Sequence, residues 1–184
     1  MKLAVIVGHR EHAGGAYSPT FGEAEYSWNK DLAQRILDVK SKVERRVFYR
    51  DGQGISGAYA AADKWGADLA TELHFNSAHK QTATGTGILY YPGSVKGRSF
   101  AKQLFLKINA VLALGDWPRR SGGIVTPYQA SGKQQRGLGS LSAGRAPATL
   151  LEPFFGSNPN DCRVATKRKD DYAAAIVAAA DALR

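Results

Sequence analysis

TELHFNSA, at residues 71–78, has the pattern of a buried strand that ends in polar and small residues. Side chains alternate along a strand, so Leu73 and Phe75 point to one face, and Glu72, His74 and Asn76 point to the other. A histidine at the end of such a strand can direct its ring to the rim of the sheet, where α/β enzymes place their sites. A structural core histidine gives the same local pattern, so the rest of the chain must decide between the two.

Strand and helix patterns alternate along most of the 184 residues. Apolar runs predict further strands at residues 2–8, 46–50, 86–91 and 148–155, and helical periodicity predicts helices at about 23–40, 55–65 and 95–114 and after residue 161. Between them, we expect a short strand near 124–125 and a mobile loop around 132–144. This order predicts an α/β fold: a three-layer sandwich whose mostly parallel mixed sheet carries helices on both faces. With no repeat and no linker, we predict a single domain over residues 1–184.

The chain is basic, and the charge is uneven. The formal net charge is +9, with 11 Lys/Arg and 10 Asp/Glu in residues 1–92 but 14 and 6 in residues 93–184. Such an excess favours an acidic partner, either nucleic acid or the acidic polymers and lipids of a bacterial envelope. A solvated basic face without a partner gives the same composition.

Two features of the composition limit localisation and chemistry. Cys162 is the single cysteine, which excludes an internal disulfide and a zinc site built on several thiolates, so any metal would bind to His and carboxylate. The first apolar run, Leu3 to Val7, is too short for a signal peptide or a transmembrane segment. We therefore expect synthesis in the cytoplasm without a signal peptide.

Four motifs on this frame carry residues suited to catalysis. They are Gly8-His9 after the first strand, Glu25 to Asn29 at a helix start, His74 to Ser77, and Glu152 to Asn158 at the end of the last strand. Two imidazoles and one carboxylate can form a zinc site that leaves a fourth position for water. A second carboxylate that does not bind the metal can accept a proton from that water.

In this ordered set, the sequence resembles the zinc-dependent N-acetylmuramoyl-L-alanine amidases, and the resemblance covers essentially the full chain. One departure is that the paired glycines that usually follow the first histidine come later here, at Gly14-Gly15. The resemblance implies that His9, Glu25 and His74 are zinc ligands and that Glu152 is the catalytic carboxylate. Glu25 is favoured over Glu23 because the two would point to nearly opposite faces of a helix and the family pattern matches Glu25.

The function implied is hydrolysis of the amide between N-acetylmuramic acid and L-alanine in peptidoglycan. Without a signal peptide, such an enzyme would be a monomeric phage or prophage endolysin that acts on the wall after its release, aided by the basic C-terminal half. One alternative is a zinc carboxypeptidase-like hydrolase of the stem peptides. Another is a non-enzymatic basic module that binds nucleic acid, although no recognition motif for it is present.

Overall fold

A six-stranded sheet forms the centre of the protein in the computed structural model, which describes all 184 residues. Its strands are β1 (Lys2–Val7), β4 (Glu44–Tyr49), β5 (Leu69–Leu73), β6 (Gly87–Tyr90), β7 (Ile124–Val125) and β8 (Ala148–Glu152). They are arranged in the order β4-β1-β5-β8-β6-β7. The first four strands of that order are parallel, whereas β6 pairs antiparallel with β8 and parallel with β7. The predicted mostly parallel mixed sheet is confirmed.

Helices cover both faces of this sheet. They are α1 (Glu25–Asp38), α2 (Gly54–Trp65), α3 (Val95–Leu112), α4 (Pro127–Ser131), α5 (Leu138–Leu141), α6 (Pro159–Lys167) and α7 (Lys169–Asp181). Alternation along β1 shows the layers: Leu3 and Val5 pack into a core with α1, α3 and α7, while Ala4 and Ile6 pack into a second core with α2 and α5. The three-layer architecture is therefore as predicted.

Three predicted segments differ from the structure. The helix expected from Glu23 begins at Glu25, because Glu23–Ala24 forms a short strand, β3, that pairs with β2 (Tyr17–Ser18). The loop expected at 132–144 contains a 3-10 turn (Gly132–Gln134) and helix α5. The terminal helix is divided into α6 and α7, with Arg168 between them in a non-helical conformation. Strands β2 and β3, the 3-10 turn and α5 are too short for hydrophobic periodicity to indicate them.

None of the helices combines the length and the apolar character of a membrane-spanning segment.

The parallel strands determine where the candidate residues lie. Since β1, β5 and β8 are parallel neighbours, their carboxyl ends meet at one edge of the sheet. His9 follows β1, His74 follows β5 and Glu152 is the last residue of β8. Residues far apart in sequence are thereby brought to one edge, and the N-terminal end of α1 adds Glu25 to them.

Candidate metal centre and active site

Glu25 lies between the two imidazoles. Its Oε2 is 3.2 Å from His9 Nε2, and its Oε1 is 2.8 Å from His74 Nδ1. Backbone N–H groups also hold the carboxylate, because Phe75 donates to Oε1 and Ala16 donates to Oε2. As the first residue of α1, Glu25 also gains from the positive end of the helix dipole.

The loop after β1 is fitted closely around this carboxylate. His9 has a φ of 66°, a left-handed conformation that is unusual for a residue with a side chain. Gly15 has a φ of 81°, and a Cβ at this position would lie 2.6 Å from His9 Cδ2 and 2.7 Å from Glu25 Oε2. The later position of the paired glycines is therefore compatible with the site, since Gly15 supplies the space that His9 and Glu25 occupy.

The donor atoms of His9, Glu25 and His74 fit a metal ion. One ligand atom from each residue lies within 4.8 Å of the other two. Glu25 contacts the two imidazoles through different oxygens, His9 Nε2 through Oε2 at 3.2 Å and His74 Nδ1 through Oε1 at 2.8 Å, so its carboxylate lies beside both nitrogen ligands. Two imidazole nitrogens and one carboxylate oxygen are also a donor set that zinc accepts.

Each charge in this group affects the ionisation of its neighbours. Burial by itself raises the pKa of Glu25, but hydrogen bonds with His74 and then His9 outweigh it and lower the pKa to about 2. Burial by itself lowers the pKa of His74, whereas its hydrogen bonds with Glu25 and Glu72 raise it well above the usual value. Glu25 is consequently ionised at neutral pH, as a metal-binding carboxylate must be.

Glu152 has a contrasting environment. Its Oε2 is buried and has no hydrogen-bond partner. Burial, the largest effect, raises the pKa of this carboxyl from 4.5 to about 8; the charge of His74 opposes the rise and that of Glu25 adds to it. A carboxylate with an unoccupied oxygen and a raised pKa is suited to accepting and returning a proton.

One cavity connects all four candidate residues. It has a volume of about 550 Å³, and its walls include His9, Glu25, His74 and Glu152. The cavity is also lined by residues for which no role was predicted from the sequence, among them Arg50, Trp117, Arg136 and Ser140. The structure thus brings the four predicted residues together, and their roles as ligands and as base stay predictions.

Sequence reasoning missed the group behind His74. Glu72 is fully buried and contacts His74 Nε2 at 2.8 Å, Arg50 Nη1 at 2.9 Å and the Tyr59 hydroxyl at 3.0 Å. The alternation in residues 71–78 does place Glu72 and His74 on the same face of the strand, so it indicates that the two side chains are neighbours. A charged residue within a central buried strand requires partners, and those partners could not be identified from local sequence.

The fold and the site together are those of a three-layer α/β protein with a His–Glu–His group able to bind a metal. The family model described as N-acetylmuramoyl-L-alanine amidase matches residues 3–182, so the chain belongs to this family. The predicted enzyme class is confirmed, and peptidoglycan is the substrate consistent with it. Members of the family are typically metal-dependent.

Solved structures of this kind are similar over nearly the full chain. The catalytic domain of the CD27L endolysin, which targets Clostridia difficile, is 26% identical with a TM-score of 0.75, and the match covers 97% of this chain and 96% of that one. An N-acetylmuramoyl-L-alanine amidase from Clostridium difficile 630 is 21% identical with a TM-score of 0.79, covering 98% and 95%. The catalytic domain of CwlV from Bacillus (Paenibacillus) polymyxa is 21% identical with a TM-score of 0.76, covering 97% and 96%. No curated protein matches the chain.

Proposed function

We propose that this protein is a zinc-dependent N-acetylmuramoyl-L-alanine amidase that cleaves the bond between N-acetylmuramic acid and the L-alanine of the stem peptide. The observation that carries the proposal is the convergence of His9, Glu25 and His74 within 4.8 Å, in one cavity with the unpartnered carboxylate of Glu152. In this proposal, the first three residues hold zinc and Glu152 is the general base.

Zinc, when bound, polarises the amide carbonyl and lowers the pKa of a water molecule. Glu152 would accept a proton at Oε2 from the attacking water and return it to the nitrogen of L-alanine as the amide bond breaks. The products are the carboxylate of the muramic acid lactyl group and the free amino group of L-alanine. Glu25 stays ionised throughout, because its two imidazole neighbours favour its charged form.

We further propose that the protein is a phage or prophage endolysin that acts as a monomer on the host wall after its release and thereby has antimicrobial activity. The similarity to the CD27L endolysin domain supports this role. The excess of 14 Lys/Arg over 6 Asp/Glu in residues 93–184 would attract the protein to acidic envelope polymers or lipids.

Digestion of purified peptidoglycan tests the reaction. We expect a new amino terminus on L-alanine, with activity lost after exhaustive chelation and restored by zinc. Release of a terminal stem-peptide residue would instead indicate a carboxypeptidase. Full activity in protein shown by elemental analysis to contain no metal would exclude the zinc mechanism. Salt-sensitive DNA binding without wall hydrolysis would identify a nucleic-acid-binding module.

A further inference from the structure

Glu72 is a charged residue in the buried interior that the proposed reaction does not use. It lies in β5, two residues before His74, and its side chain is fully buried. Leaving a carboxylate in such a position without partners would be very unfavourable. Its presence therefore has to be explained by what surrounds it.

Both oxygens of Glu72 are occupied. Oε2 accepts a hydrogen bond from the Tyr59 hydroxyl at 3.0 Å, and Oε1 accepts one from Arg50 Nη1 at 2.9 Å while lying 2.8 Å from His74 Nε2. Tyr59 is on α2 and Arg50 directly follows β4, so two separate elements fix the carboxylate. Glu72 is thereby unavailable as a fourth metal ligand or as a second base.

The contact with Glu72 determines which nitrogen of His74 faces the cavity. A carboxylate paired with Arg50 acts as an acceptor, so Nε2 of His74 must carry the hydrogen in this contact. Nδ1 is then left for the metal centre, where it lies 2.8 Å from Glu25 Oε1. A metal-binding histidine commonly donates its other ring N–H to a carboxylate, which fixes the ring and increases its basicity.

We propose that Glu72 is a positioning residue: with Arg50 also donating to its Oε1, it accepts the Nε2 hydrogen of His74 and keeps Nδ1 directed at the zinc site. This inference rests on the proposed zinc site and adds the group that orients one of its ligands. Glu72 touches neither substrate nor metal in this arrangement.

Zinc affinity distinguishes positioning from a purely structural role. Glu72→Gln keeps the shape of the side chain but removes its charge, and we expect zinc to bind about 10–100-fold more weakly in competition with a chromophoric chelator. Tyr59→Phe is the matched control, because it removes a partner of Glu72 on Oε2 and leaves the Oε1 contact with His74 intact. We expect its zinc affinity to fall by much less than the loss of about 10–100-fold expected for Glu72→Gln.

The outcomes separate this inference from the proposed function. If wild-type protein binds zinc and Glu72→Gln binds it equally well, Glu72 does not position His74 and the zinc site stands. If wild-type protein binds no zinc, both the site and the role of Glu72 are wrong. A similar loss of affinity in both variants would assign the effect to general disruption of the buried group and overturn the specific role.

A measurement on the wild type does not depend on whether the variant folds. In nitrogen-15 NMR spectra of the zinc-loaded protein, we expect His74 to have a protonated Nε2 and a metal-bound Nδ1. Metal on Nε2 would overturn the inference, because that nitrogen could not then donate to Glu72.

Discussion

Replacing Glu152 by glutamine should have two opposite effects: it should stabilise the fold at high pH and it should slow hydrolysis. Its Oε2 is buried without a partner, and burial raises its pKa from 4.5 to about 8. A carboxyl group whose pKa is higher in the folded protein than in the unfolded chain destabilises the fold when it ionises. That cost is absent below about pH 4.5, grows as the pH rises and is complete above about pH 8.

The size of the effect follows from the two pKa values. Each pH unit of difference corresponds to about 1.36 kcal/mol, so the interval from 4.5 to about 8 sets an upper limit of about 5 kcal/mol. In metal-free protein at pH 8, Glu152→Gln should therefore raise Tm by several degrees, at roughly 2–4 °C for each kcal/mol in a chain of this size. At pH 5, the two proteins should unfold at nearly the same temperature.

The same variant should lose activity. If Glu152 is the general base, the zinc-loaded variant should keep its metal and fold while its rate falls by about 10²–10⁴-fold. Thermal unfolding at both pH values and hydrolysis of purified peptidoglycan measure the two effects. Glu44→Gln, at an exposed carboxylate, is the control and should change neither. An equal gain in stability at pH 5 and pH 8 would refute the charge argument, and a rate near that of the wild type would place the base elsewhere.

Three further predictions concern the metal centre and the basic half of the chain. Glu25→Ala should lose stoichiometric zinc by elemental analysis, whereas Glu23→Ala, outside the His–Glu–His group, should keep it; the reverse would move the ligand to Glu23. Gly15→Ala should lose zinc because the added Cβ would overlap with His9 and Glu25. Gly22→Ala is its control and should keep zinc, since Gly22 has a similar φ of 72° but no atom within 4 Å of the added Cβ. Equal losses of zinc in the two variants would indicate backbone strain alone. Wall lysis should weaken as ionic strength rises to physiological levels, and a flat response would assign the basic residues to solubility.

The layers and the edge where the site lies could be predicted because they depend on long, strongly patterned elements. The apolar β1 is the signature of a parallel strand covered on both faces, and the periodicity of α3 and α7 fixed their buried sides. Once the strands were known to be parallel, the carboxyl ends of β1, β5 and β8 had to meet at one edge.

The hairpin and short helices could not be predicted from the same signals. Strands β2 and β3 have two residues each, which is too short for alternation to appear. Their pairing nevertheless decides where α1 begins, and thus that Glu25 is its first residue. Helix α5 lies in a segment rich in Gly and Ser, where local propensity favours a loop and packing against the sheet decides otherwise.

Three glutamates at this edge show why residue type alone does not assign a role. Glu25 lies between two imidazoles, which lower its pKa to about 2 and leave a permanent anion suited to a metal. Glu72 has Arg50, Tyr59 and His74 as partners, so its charge is used within the protein. Glu152 has an oxygen with no partner and a pKa of about 8, which makes it the best suited of the three to exchange a proton. Neighbouring carboxylates take different roles when their surroundings separate their pKa values, and those surroundings come from helices and strands that only the fold brings together.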